Sequence, residues 1–232
     1  MSNRATDTEQ LVLDLPHRPA LGVEDFLVSS SNQSAIELID HWPDNWPNFA
    51  AALCGPSGVG KSHLASVWMD RSDAHRLNGY DITDDGADVL LDHPALVIED
   101  LHDGIGSEKA LFHILNIARE RQKSVLLTSR IAPGDIDVSL PDLRSRLRAL
   151  PVALIAPPDD ALLQGLLVKL FLDRQMQIEP ETIRYILTHT ERSAESALQI
   201  VAEMDRLALA KRRRATKLLA REVIYKLFPV KP

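Results

Sequence analysis

Residues Gly55–Ser62 read "GPSGVGKS". Glycines, a lysine and a hydroxyl at this spacing are what a phosphate needs. A glycine-rich loop can turn its backbone N–H groups toward phosphate oxygens, and a following helix N-terminus adds partial positive charge. Lys61 then neutralises β and γ phosphates, and Ser62 supplies a hydroxyl to Mg2+. The candidates for nucleotide binding are Gly55, Pro56, Ser57, Gly58, Val59, Gly60, Lys61, Ser62 and the adjoining His63. A chance glycine turn is the alternative. Context argues against it, because the apolar run "FAAALCG" leads in and the helical pattern "KSHLASVWMD" leads out.

Three further stretches carry chemistry. In "ALVIED" four apolar residues end in Glu99 and Asp100, so both carboxylates emerge at the C-terminal end of an expected strand. Ligands of open α/β sheets bind there. Glu99 is the expected metal group, with Ser62, and Asp100 the catalytic group that orients an attacking water. A solvated strand end is the alternative. No guanine-reading N-K-x-D run is present, which favours ATP or ADP. "SVLLTSR" places Thr128 and Ser129 at the end of another strand, where they could sense a γ phosphate or only close strand-end hydrogen bonds. In "SLPDLRSRLRALP", Leu143, Leu147 and Leu150 share one helical face, Arg144 and Arg148 lie opposite, and Arg146 falls at the flank. An arginine held there can stabilise a transferring phosphoryl group; the alternative is a solvated Arg-rich helix.

These residues need a frame. "FAAALCG", "ALVIED", "SVLLTS" and "PVALIA", with "AHRLN" as a weaker member, are short and mostly apolar, as buried parallel strands are. Helical patterns alternate with them, which predicts an α/β parallel sheet. In "EDFLVSSSNQSAIELIDHW" a short segment leads into a helix that Ser31 or Asn32 can cap, with Ile36, Leu38 and Ile39 near helical spacing, and Trp42 and Trp46 read as packing residues. After "APPDD" only helices are expected, with Pro180 in a first turn and Ser193 at an N-cap. The chain has 232 residues, ordinary globular composition and one cysteine, Cys54, so it has a cytosolic composition and cannot form an internal disulfide. No membrane-crossing helix and no signal segment are expected. The net charge is -7, yet from Val201 onward nine Lys/Arg stand against three Asp/Glu. That basic end is either a solvated helix end or a nucleic-acid contact.

The motifs resemble those of AAA+ ATPases of the DnaA class, and within it the Hda family of DnaA-related regulators. "FLVSSSN" resembles the base-contacting segment, "GPSGVGKSHL" the Walker A motif, and "ALVIEDLH" the Walker B motif. "LPDLRSRL" resembles the box holding an arginine finger, with Arg146 in the finger position, and "IAPPDD" the hinge into a helical lid. The opening "QLVLDL" resembles a sliding-clamp-binding peptide, with Gln10, Leu11, Leu13 and Leu15 as anchors; an edge strand on the protein's own body is the alternative. The sequence departs from the pattern at Arg130, where an acid is usual, and at Glu195, where the lid carries a phosphate-sensing arginine; Arg192 is the nearest arginine.

The resemblance implies a five-stranded parallel AAA+ base over residues 21–158, a helical lid over 159–232 and a tail over 1–20. It implies ADP or ATP with Mg2+, docking on the DNA polymerase III sliding clamp, and Arg146 acting in trans on ATP held by the DnaA initiator, in the cytoplasm. A DNA contact through the clamp complex and a homodimer are further partners it allows. The lack of a helix-turn-helix domain after Pro232 separates this expectation from an initiator. A self-sufficient DNA-associated loader or remodeller, and a nucleotide-binding adaptor without a finger, are the alternatives.

Overall fold

Burial on both faces is what turns an apolar run into a strand, and the computed structural model shows this directly. It describes residues 28–84, 88, 92–211 and 214–228. The clamp-peptide residues Gln10, Leu11, Leu13 and Leu15 lie outside the described residues. Five parallel strands, β1 (Ala50–Cys54), β2 (Ala74–Asn78), β3 (Ala95–Glu99), β4 (Ser124–Ser129) and β5 (Val152–Leu154), stand side by side in the order β2-β3-β4-β1-β5. Every residue of β1, β3 and β4 is buried. β2 lies at the sheet's edge with His75 and Arg76 exposed, which is why its sequence is the least apolar.

Side chains alternate between two layers. Ala52, Cys54, Leu96, Ile98, Val125 and Leu127 face α3 (Glu108–Glu120) and α4 (Pro141–Arg148), meeting Leu111, Ile114, Leu143 and Leu147. Ala51, Leu53, Val97 and Leu126 face α1 (Gln33–Asp40) and α2 (Lys61–Ser72), meeting Ile39, Leu64 and Trp68. Trp46 stacks on Trp68 at 5.0 Å and Trp42 meets it edge-on at 5.6 Å, so these indoles are core. Asn32 does sit at the start of α1, but its Oδ1 accepts from the Ser29 backbone N–H (2.9 Å) rather than capping the helix.

Past Pro157 and Pro158 the chain becomes helical: α5 (Asp160–Asp173), α6 (Pro180–His189), α7 (Ala194–Lys211) and α8 (Lys217–Leu227). Asp159 caps α5 by accepting from Leu162 N–H, and the Ser193 hydroxyl accepts from Ser196 N–H at the start of α7. These helices surround their own core, with Leu167, Phe171, Ile186, Ile200, Met204 and Val223 at its centre. Among the described residues no helix is long and apolar enough to cross a membrane.

Candidate functional site

From β1, which lies between β4 and β5, the chain runs across to the far edge at β2, later returning past β1 to β5, so the loop after β1 sits where the winding direction changes. That loop is Gly55–Gly60. A side-chain carbon at Gly55 would fall 2.2 Å from the Ile155 carbonyl oxygen, so only glycine lets the loop turn this close to the segment after β5. Gly58, at φ +73, lies under the lid: a carbon there would come 3.1 Å from Ser193 Cβ. Lys61 opens α2 and donates from Nζ to the carbonyls of Gly55 (2.8 Å) and Pro56 (2.7 Å). Burial pushes its ammonium below the ordinary range, Asp100 opposes that shift, and the like charge of Arg130 adds to it. Burial also raises the Cys54 thiol to about 11, which keeps it neutral and inert at the base of the loop.

Between base and lid lies a cleft of about 630 Å³. Its floor is Ser57, Gly58, Val59, Gly60, Lys61, Ser62 and His63, with Asp100 and Arg130 at one side. Ser31 and Asn32 enter from the segment before α1, followed by Ala156 and Pro158 from the hinge. The lid wall is a stripe of α5, including Leu162, Leu166, Lys169 and Arg174, with Glu195 and Leu198 from α7. Spacing of four and three residues along α5 marks that stripe in the sequence, but only the hinge angle brings it over the loop.

The acidic and sensor candidates separate by one residue each. Asp100 lines the cleft, at φ +52, and its backbone N–H donates to Thr128 Oγ1 (3.1 Å). Glu99 is 9% exposed; its Oε2 lies 3.6 Å from Arg76 Nε, and its Oε1 is buried with no hydrogen-bond partner among the described residues. Glu99 is not among the residues lining the cleft; an orphaned carboxylate oxygen of this kind is a group that a hard divalent cation satisfies. Thr128 and Ser129 are both fully buried, and Ser129 Oγ accepts from Ile131 N–H. Asp100, His102 and Asp103 bring ligand-type atoms within 4.8 Å of one another. Arg130 N–H, however, donates to His102 Nδ1 (3.2 Å), and His102 Nε2 lies 3.2 Å from Asp103 Oδ1. With Nδ1 engaged by that N–H, His102 links the turn after β3 to the end of β4.

On the lid, Arg192 pairs with Asp160 at 3.2 Å, while Glu195 is the residue over the loop, its Oε2 3.6 Å from the carbon a side chain at Gly58 would add. Arg146 is not among the residues lining this cleft. It is half-buried on α4, with Nη2 donating to Asn116 Oδ1 of α3. Leu143, Leu147 and Leu150 are buried beneath it, as their spacing predicts. Glu108 fixes the start of α4 by accepting from Ser139 N–H (2.8 Å), the Ser139 hydroxyl and Leu140 N–H (2.7 Å).

A central parallel sheet with a phosphate-type loop after its first strand, closed over by a helical lid, is the fold of AAA+ domains. Residues 165–224 match the family model "Hda, lid domain". Domain III of the Thermotoga maritima replication initiation protein DnaA is similar, with a TM-score of 0.74 and 18% identity over 94% of this chain and 100% of that one. A DnaA replication initiator bound to AMPPCP and single-stranded DNA aligns with a TM-score of 0.69 and 17% identity, over 93% and 76%. The Thermotoga maritima RuvB Holliday junction branch migration motor aligns with a TM-score of 0.62 and 15% identity, over 78% of this chain and 62% of that one. No curated protein matches the sequence. The lid therefore matches the Hda family model, and the chain as a whole has the fold of these DnaA domains.

Proposed function

We propose that this chain regulates initiation of chromosome replication by lending an arginine to the ATP of a DnaA-type initiator. The observation that carries the reading is the position of Arg146: it sits outside the chain's own cleft, on a helix anchored twice to α3, in a chain with an Hda-type lid. A guanidinium held half-exposed on a braced helix suits a neighbour's phosphates better than its own. In GTPases such a finger accelerates hydrolysis by roughly 10³–10⁵.

The chain's own cleft holds ADP or ATP. Lys61 and the loop N–H groups bind phosphates, while Ser31, Asn32 and the α5 leucines enclose the rest. Ser62 and Glu99 would hold Mg2+, which supplies charge neutralisation at the phosphates, and Asp100 would orient an attacking water. Glu195 puts a carboxylate over the same loop, which disfavours fast hydrolysis within the chain and favours a structural role for the nucleotide. The tail, through Gln10, Leu11, Leu13 and Leu15, tethers the protein to the sliding clamp, so that the finger meets the initiator at replicating DNA in the cytoplasm.

The test is ATP turnover by the initiator in the presence of clamp loaded on DNA. The wild-type chain should stimulate turnover. Arg146→Ala should bind nucleotide and clamp normally yet give no stimulation. Equal stimulation by the variant would remove the finger from Arg146.

A further inference from the structure

We propose that Arg130 is a phosphate-contacting residue of this chain's own cleft, selecting ligands by the length of their phosphate chain. The inference rests on the reading of that cleft as a nucleotide site.

β4 aims its C-terminal end at the cleft, but its last two residues are not among those lining it. Thr128 and Ser129 are fully buried, and their hydroxyl oxygens are engaged by the N–H groups of Asp100 and Ile131. Arg130 is the first residue past the strand, and it lines the cleft beside Lys61, Ser62 and Asp100. Its backbone is held in place: the N–H donates to His102 Nδ1, and His102 belongs to the turn that follows Asp100. Its guanidinium has no hydrogen bond and no carboxylate within ion-pair distance among the described residues.

The local charge distribution agrees. Arg130 and Lys61 are like charges close enough for one to act on the other, and both face a single cavity. Across the cavity the lid offers Glu195 near the loop, with Lys169, Asp173 and Arg174 also lining the cleft, while Arg192 is turned to Asp160. Two converging cations on the base, faced by an acid on the lid, fit a polyanion held from the strand side. An arginine presents a planar fork of donors to phosphate oxygens, which a lysine does not reproduce. The ligand class is therefore a nucleoside polyphosphate, and Arg130 discriminates by the number of phosphates.

The experiment titrates the full chain, with Mg2+, against adenosine, ADP and AMPPCP by calorimetry, using wild type, Arg130→Gln, Arg130→Lys and Lys61→Ala. Losing one charge-assisted contact should weaken AMPPCP binding by roughly 10- to 100-fold in Arg130→Gln. Adenosine binding and the thermal midpoint should stay unchanged, and Arg130→Lys should recover only part of the loss. A loss in Arg130→Gln that does not grow from adenosine to AMPPCP, or wild-type affinity for all three, overturns the assignment. If Lys61→Ala loses AMPPCP while Arg130→Gln keeps it, the nucleotide site stands and Arg130 alone falls. If wild type binds neither ADP nor AMPPCP, the nucleotide reading falls and Arg130 with it.

Discussion

Replacing Thr128 with valine tests how the acidic end of β3 is held. The Thr128 hydroxyl accepts the Asp100 N–H at 3.1 Å, the side chain is fully buried, and Asp100 occupies a left-handed backbone conformation at φ +52. Valine keeps the shape and removes the acceptor, so the Asp100 N–H loses its partner at the point where the strand turns. An unmet donor of this kind costs about 1–3 kcal/mol. For a chain of this length each kcal/mol moves the thermal midpoint by about 2–4 °C, so the midpoint should fall by about 2–12 °C. Thr128→Ser keeps the acceptor and loses one methyl group, worth about 0.8 kcal/mol. Melting followed by circular dichroism should rank wild type first, serine next and valine last. Calorimetric nucleotide titration should show weaker binding in the valine variant, since Asp100 lines the cleft. A valine variant that melts at or above the serine variant would show that the hydroxyl does not hold the turn.

Three more outcomes are expected. Gln10→Ala combined with Leu13→Ala should abolish capture of the chain by immobilised clamp, because a strip burying a few leucines at about 1.5–3 kcal/mol each, less ordering costs, has affinity only on the order of micromolar; retained capture places the contact elsewhere. Glu203, hydrogen-bonded by Arg206 and Lys226, has its carboxyl lowered from 4.5 to about 2. Its contribution is therefore full above its ordinary value and lost as pH falls from 4.5 toward 2, so the stability gap between wild type and Glu203→Gln should be flat near neutrality and close through that window; a gap that does not change with pH refutes the link. Asp159→Ala removes the cap on Leu162 N–H and should lower stability by about 1 kcal/mol in denaturant titrations, with no change expected if the cap is replaced by solvent.

The buried strands could be read from the sequence because burial leaves a mark in composition: β1, β3 and β4 are continuous apolar runs for the reason that both faces are covered. β2 read weakly because an edge strand with an exposed His75 and Arg76 need not be apolar. The phosphate loop could be read because its function needs fixed residue types at fixed spacing. Arg146 also fell where its helical phase put it, at the edge of the buried leucine face. What spacing could not supply was which of two neighbours enters the cleft. Thr128 and Ser129 stand at the strand end but are fully buried, and Arg130 is the residue there that lines the cleft. Glu195 could be placed over the loop by its position, whereas Lys169 and Arg174 reach the cleft through the angle between two domains, a tertiary quantity that no local pattern encodes.

Helix α5 belongs to two compartments at once. Leu162, Leu166 and Lys169 form a wall of the cleft, while Leu167 and Phe171 on the other side anchor the lid interior. A rigid rod shared in this way acts as a lever: filling one compartment alters the torque on the other. Amide exchange in α7 and α8, at positions that touch no ligand, should therefore slow when the cleft is loaded.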